Sequence, residues 1–404
     1  MLVKGQIPSH EPVVSIGLVL PEDRVQKLVI MDVENNRSFN INLSEEPNYF
    51  PTSIYKLSSI RAGRGFHWEK NISITVEGEL EIKIVDECLF VINHIPLEKY
   101  IICVATSEMS GECPQALLES QTVAARSWLL AAMEQKHADL GIDSCNDDCC
   151  QRYQGIENLT DAAISAAEKT WGQVLIHDEK ICDTRYAKSC GGISENNENV
   201  WDGEQKPYLR AVHDGNNSAL PNIKSESDLK VWLTELQNSY CGPEYVPEND
   251  LKKYLGHVDK SGSYFRWNVS FSQEELTQLI SEKTERTFES IILLQPLNRG
   301  ISGRITQLRI DGISKGEPAN IILKSEYEIR RVLHPDFLYS SAFIIETNSD
   351  LDSQPSQIKL RGAGWGHGVG LCQIGALGMA LNGSSFENIL SHYFHSTELK
   401  NIYD

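Results

Sequence analysis

Pro96-Leu-Glu-Lys-Tyr-Ile-Ile-Cys-Val-Ala-Thr-Ser-Glu108 is where the chain changes character. Proline is tolerated at the start of a helix, because its missing N–H would be unbonded there anyway. After it, Leu97, Ile101, Val104 and Ala105 recur at helical spacing, which predicts a helix with one apolar face. Before it the period is two. Asn71-Ile-Ser-Ile-Thr-Val alternates polar and apolar residues, as a half-buried strand does. Short runs at 14–20, 28–33, 72–76, 80–85 and 89–92, parted by charged or glycine turns, predict further strands.

Downstream, Ser110-Gly-Glu-Cys-Pro114 breaks the helix, and Pro114 opens a second one running to about residue 137. A polar, cysteine-rich loop follows at 141–155. A short helix is predicted at 161–170, then strands at 171–176 and 181–186. Residues 215–300 are more polar and read as helical, with Ser272-Gln-Glu-Glu275 spaced as a capping box. Strands return at 304–310 and 342–347. A glycine-rich block occupies 361–378, and Ser384-Ser-Phe-Glu387 reads as a second capping box before a last helix. The fold class predicted is α+β: a mixed α/β catalytic core, antiparallel strands at both ends and an inserted helical subdomain. The segments expected are 12–95 (strands), 96–214 (core), 215–300 (helical insertion) and 301–404 (strands, glycine-rich block and last helix, returning to the core).

Composition bounds the function. The chain has 404 residues, 41% hydrophobic and 23% charged, a globular mixture long enough for two or three domains. It carries 37 Lys+Arg against 56 Asp+Glu, a net charge of −19, which disfavours nucleic acid and anionic lipid as partners. No apolar run approaches the ~18–20 residues of a membrane span. The first eleven residues hold one lysine, a proline and no apolar stretch, so no secretory signal is expected in this chain. A cytosolic protein or a removed leader accounts for that.

Four features carry chemistry. Glu108 falls on the apolar face of its helix, at offsets of four, seven and eleven from Val104, Ile101 and Leu97. Burial favours the neutral form of a carboxyl, the state a general acid holds at neutral pH. The plain alternative is a helix-end glutamate facing solvent. Arg126 lies among small and apolar residues, and a buried arginine needs a carboxylate or carbonyls. It could pair with Glu108, hold a substrate anion or form a structural ion pair.

In Arg361-Gly-Ala-Gly-Trp-Gly-His-Gly-Val-Gly370 the glycines recur every second residue. An extended chain would then present a bare face to a ligand or a neighbouring backbone, with Trp365 and His367 on the other face. No GxGxxG, GK[ST], HExxH or GxSxG pattern occurs. Cys145-Asn-Asp-Asp-Cys149-Cys150, with His137 upstream, has soft ligands at metal-site density, although reduced or disulfide-bonded cysteines would read the same. Ser189-Cys190-Gly191-Gly192 follows a predicted strand and could display a hydroxyl or thiol. Asp183, Glu195 and Glu112 are candidate second acids.

Tyr100-Ile-Ile-Cys-Val-Ala-Thr-Ser-Glu-Met109, Ala116-Leu-Leu-Glu-Ser-Gln-Thr-Val-Ala-Ala-Arg126, the stretch from Cys145 to Tyr153, Ser189-Cys-Gly-Gly-Ile-Ser-Glu195, Pro207-Tyr-Leu-Arg210 and Gly364-Trp-Gly-His-Gly-Val-Gly370 with Gln373 stand in this order. Together they resemble the stage II sporulation protein D family, also called amidase enhancers. The resemblance implies a lytic transglycosylase that cuts denuded peptidoglycan strands between N-acetylmuramic acid and N-acetylglucosamine and leaves a 1,6-anhydro sugar. It implies Glu108 as the acid/base with Arg126 nearby, and substrate contacts at Tyr186, Ser189, Gly191, Gly192, Trp365, His367 and Gln373. No cofactor is implied for catalysis. A structural zinc on Cys145 and Cys150, helped by Cys149 or His137, is allowed. Glycan strands are the expected partner, a cell-wall amidase the partner on an enhancer reading, and the cell envelope the expected location. Cys149, Cys190, Cys372 and Ile374 depart from the family pattern of His, Thr or Ser, Ser and Tyr.

Overall fold

The computed structural model describes residues 1–403 apart from 45–47, 66–68, 217–218, 236–237, 257–261 and 349–353. The fold is mixed α+β, with mostly antiparallel sheets. It divides into two compact units. The first comprises Met1–Thr184, Asp250–Lys260 and Thr397–Asp404, and the second Arg185–Asn249 and Ser261–Ser396. The boundary near Thr184 splits the core expected at 96–214. Its second half joins the C-terminal residues instead, because strand Tyr186–Ala187 pairs in parallel with Leu371–Cys372.

The first unit is built on a sheet of β1 (Val13–Val19), β2 (Lys27–Asp32), β3 (Arg37–Asn42), β4 (Asn48–Ala62), β5 (Lys70–Val85), β6 (Cys88–Pro96) and the two-residue β7 (Ser144–Cys145), in the order β3-β2-β4-β5-β6-β1-β7. All pairs are antiparallel except β1 with β7. The two strands expected at 72–76 and 80–85 are one. β5 runs on through Gly78 at φ +120°, where a Cβ would sit 2.4 Å from the His94 carbonyl oxygen of β6. β3 and β4 escaped the sequence reading: β3 has only Phe39 and Ile41 as large apolar residues, and in β4 register shifts between Phe50 and Ser53 and between Leu57 and Ile60 break the alternation of a buried side that includes Phe50, Ser53, Tyr55, Leu57 and Ile60.

Helices α1 (Leu97–Glu108), α2 (Gln115–Ala131) and α3 (Asp161–Lys169) pack against one another. Pro96 and Pro114 cap α1 and α2 one residue ahead of the first helical position. α2 ends at Ala131, where Ala132 turns left-handed at φ 48°, six residues before the predicted end near 137. Strand β8 (Gln173–His177) pairs with Glu398–Asn401 and with Lys180–Ile181. The strand expected at 181–186 is therefore two short pieces, one in each unit.

In the second unit, strands Arg266–Ser272 and Phe343–Thr347 flank Gln357–Ala363, and Ser290–Arg299, Ile305–Ser314 and Glu317–Leu323 form a meander. Trp267, Leu276, Ile280, Ile305, Leu308, Ile329, Phe343 and Leu360 belong to its core. The stretch 215–300 is not a helical insertion. It contributes helices Glu226–Thr234 and Gln273–Lys283 but also two of these strands, whose alternating Trp267, Val269 and Phe271 face the core. The capping box at Ser272 is formed: its hydroxyl accepts the Glu275 N–H at 3.2 Å, and Glu275 Oε2 accepts the Ser272 N–H at 2.8 Å. The second box does not form, and the cap moves on by one residue. Ser385 caps Phe386–Tyr393, accepting the N–H of Asn388 at 3.4 Å. No helix among the described residues is long and apolar enough to cross a membrane.

Candidate active site

Glu108 is the last residue of α1. The helix stops because Met109 turns extended, at φ −133° and ψ 161°. The apolar stripe of α1 carries the Glu108 side chain inward, and only 8% of the residue is exposed. Its Oε1 accepts the backbone N–H of Arg152 at 3.1 Å. That N–H belongs to the cysteine-rich loop, so the loop's position sets the environment of Glu108.

The loop is tied down along its length. Asp147 accepts the N–H groups of Gly63 and Arg64 at 2.8 and 2.7 Å, and the buried Arg64 guanidinium bonds Asp23, Asn146 and Asp147. Gln151 donates to the Ala125 carbonyl of α2 at 3.1 Å, and Gln154 N–H donates to Ser107 Oγ at 3.0 Å. The buried Tyr153 hydroxyl donates to Asn93 Oδ1 of β6 at 2.8 Å, its ring packed on Tyr100. Arg152 turns its guanidinium onto Asp148, and burial pushes that carboxyl up to about 6 against the pull of Arg152.

The first two alternatives for Arg126 give way to the third, a structural ion pair. Its guanidinium is fully buried and grips Glu98 with two nitrogens, Nε lying 2.8 Å from Oε1, while Nη1 donates to the Gln173 carbonyl at 2.9 Å. Arg126 is thus a cross-link between α1, α2 and β8, and the expected role beside the substrate is corrected. Glu98 was missed, although it falls on one helical face with Ile101, Ala105 and Glu108.

His137, Cys145, Cys149 and Cys150 do converge: one ligand atom from each lies within 4.8 Å of all the others. Cys145 Sγ is 3.1 Å from Cys149 Sγ, which is 3.5 Å from His137 Nε2. Three thiols and an imidazole gathered around one point are the donor set of a single zinc site. The cluster sits at the edge of a small apolar core of Leu20, Phe90, Ile92 and Ile142.

The remaining predicted residues fall in the second unit. Ser189 is fully buried; its N–H and C=O pair with Trp365 at 3.0 and 2.8 Å, and its hydroxyl accepts the Gly191 N–H at 3.3 Å. Cys190 is 3% exposed, so this segment displays neither hydroxyl nor thiol. Gly191 and Gly192 are buried as well, and Gln373 is the buried first residue of helix Gln373–Leu381. These four lie inside the second unit, and as placed they offer no open surface to a sugar. Tyr186, Trp365 and His367 keep partial exposure. Trp365 stacks on Tyr339 with ring centroids 4.5 Å apart. His367 packs edge-on against Trp201, and burial together with the charges of Arg185, Arg330 and Arg304 holds its imidazole well below its usual pKa, hence neutral.

The glycine-rich block is not an extended strand. Strand pairing ends at Ala363, and Gly364, Gly366, Gly368 and Gly370 all have positive φ. A Cβ on Gly368 would lie 2.3 Å from Arg304 Cζ, and one on Gly364 2.8 Å from the Ser189 carbonyl oxygen. The bare face therefore meets this chain's own atoms, not a sugar. Of the candidate second acids, Glu112 is exposed and Asp183 is 1% exposed. Glu195 is fully buried and accepts from the N–H groups of Asn196, Ile301 and Ser302, the Asn199 amide and the Ser302 hydroxyl.

Two family models match parts of the chain. Residues 86–177, which span β6 to β8 with Glu108 and the cysteine-rich loop, match the family described as Stage II sporulation protein, and residues 195–370 match a domain of unknown function. An uncharacterized protein of Brachyspira hyodysenteriae is 26% identical over 78% of this chain and 69% of its own length. Stage II sporulation protein D of Bacillus subtilis is 23% identical over 76% of this chain and 75% of its own, and the amidase enhancer of that organism is 23% identical over 73% and 39%. Residues 86–177 thus match the Stage II sporulation protein family, and the chain resembles stage II sporulation protein D and amidase enhancer over about three quarters of its length.

Proposed function

We propose that this chain acts on the bacterial cell wall, outside the cytoplasm, as a lytic transglycosylase of denuded peptidoglycan strands. The observation that carries the proposal is the placement of Glu108: a nearly buried carboxyl at a helix end, braced by a peptide N–H of a loop held from several sides. Such a carboxyl can protonate the glycosidic oxygen between N-acetylmuramic acid and N-acetylglucosamine. It can then take the proton of the muramyl C6 hydroxyl as that oxygen bonds to C1, closing the 1,6-anhydro ring. A hydrolase needs a second carboxylate roughly 5–10 Å away to activate water or attack C1. Glu195 is saturated with donors and Asp148 is engaged by Arg152, which favours the one-carboxyl scheme. His137, Cys145, Cys149 and Cys150 would hold a structural zinc that fixes the loop, and no step runs through it.

The test is incubation with denuded glycan strands and mass analysis of the ends. Anhydro ends are expected from the native chain. Glu108→Gln should melt normally and lose about 10²–10⁴ in rate; a folded variant that cleaves normally removes the proposal. The likeness to an amidase enhancer supports a second reading, a glycan-binding partner of a cell-wall amidase. On that reading Glu108→Gln leaves stimulation of the amidase intact.

A further inference from the structure

Three cysteines with no metal-site spacing in the sequence meet around an aspartate in the second unit. Cys190 follows strand Tyr186–Ala187, Asp214 and Cys241 lie in irregular segments, and Cys372 is the N-cap of helix Gln373–Leu381. One ligand atom from each lies within 4.8 Å of the other three. All four are buried, Asp214 completely. Cys190 and Cys372 are 182 positions apart, which is why no motif marks the group.

The spacing fits one ion. Cys190 Sγ and Cys241 Sγ are 3.8 Å apart. Tetrahedral zinc with Zn–S bonds of about 2.3 Å holds its sulfurs about 3.8 Å from each other. A disulfide would bring them to about 2.05 Å, and all three cysteines are free.

The surroundings also fit. The Asp214 carboxylate accepts the Cys241 N–H at 2.9 Å and the Tyr393 hydroxyl at 2.5 Å, and among the described residues no Lys, Arg or His forms a salt bridge with it. A buried carboxylate without a counter-charge is costly, and a metal ion supplies one. The sulfurs accept peptide N–H bonds of the kind that orient and tune metal thiolates: Cys190 N–H and Gly375 N–H to Cys372 at 3.1 and 3.3 Å, and Gly192 N–H to Cys190 at 3.4 Å.

We propose that Cys190, Asp214, Cys241 and Cys372 form a closed, structural zinc site in the second unit. Soft thiolates at tetrahedral spacing select zinc over magnesium or calcium, which take oxygen ligands. Four buried protein ligands leave no open position for substrate. Binding displaces the three thiol protons. The site clamps the Ser189–Gly192 turn, whose Ser189 pairs with Trp365, and the start of helix Gln373–Leu381. It is independent of the Cys145 cluster and of the glycan-cleavage proposal.

The experiment uses the full chain, purified without chelator or added metal, and elemental analysis. Cys145→Ser/Cys149→Ser/Cys150→Ser removes the first cluster. This variant should still carry about one zinc per chain, and adding Cys241→Ser should remove it. Cobalt exchanged into the triple variant should give tetrahedral bands with thiolate-to-metal charge transfer that vanish with Cys241→Ser. A folded triple variant without metal overturns the proposal, as does a mass-mapped disulfide between any two of Cys190, Cys241 and Cys372. Should the triple variant not fold, cobalt titration of the native chain against Asp214→Asn and Cys241→Ser decides. Loss of one tetrahedral equivalent supports the site, and unchanged spectra refute it.

Discussion

Arg126→Met separates a structural arginine from a catalytic one. The substitution keeps much of the aliphatic volume and removes three donors, two facing Glu98 and one facing the Gln173 carbonyl. Glu98 is 1% exposed, so water cannot replace the lost cation at that carboxylate. Breaking a buried pair by removing one partner costs about 3–5 kcal/mol. For a unit of this size each kcal/mol lowers Tm by about 2–4 °C, so the expected drop is roughly 6–20 °C. Total stabilities are about 5–15 kcal/mol, so part of the population unfolds at working temperature. The assay is a thermal and a urea melt, with glycan cleavage scaled to the folded fraction. Glu98→Met/Arg126→Met should recover about half of the loss or more, because no orphaned charge remains. A variant that melts within about 2 °C of the native chain yet loses cleavage would refute this account and return Arg126 to the substrate.

Gly368→Ala should cost about 1–3 kcal/mol in a melt, because φ is +74° and the new Cβ would meet Arg304; a native-like melt refutes the scaffold role of the block. Tyr153→Phe removes the hydroxyl that holds the cysteine-rich loop on Asn93. It should cost about 1–3 kcal/mol and lower cleavage, since the same loop presents the Arg152 N–H to Glu108; unchanged stability contradicts the tether. Glu195→Gln places an amide against a ring of donors and should cost roughly 2–4 kcal/mol, with cleavage per folded molecule unchanged; the reverse pattern makes Glu195 a second acid.

Local patterns made part of this protein legible before any coordinates. Helical spacing placed Glu108 on the apolar face at the end of α1. Alternation placed the first part of β5, a short apolar run placed β6, and serine–glutamate spacing placed the cap at Ser272. Each depends on residues close in the chain, whose relative directions the helix or strand period dictates. The cysteine cluster near residue 145 was visible for the same reason.

Other features lay beyond such reasoning because their partners are distant in sequence. Arg126 needed a carboxylate, but whether Glu98 or Glu108 answered it depended on how α1 packs against α2. The glycine period of two implied a strand, yet the approaches of Arg304 and of the Ser189 carbonyl made it a run of left-handed turns. Sequence alone determined the α+β character, the helical face that Glu108 shares with its apolar neighbours and the cysteine-rich loop, because these follow from short-range periodicity and composition. Tertiary structure alone decided which charge Arg126 satisfies, what fills the glycine face, and that Asp214 meets three cysteines drawn from far along the chain. Those outcomes depend on burial and on long-range closure, which no local spacing encodes.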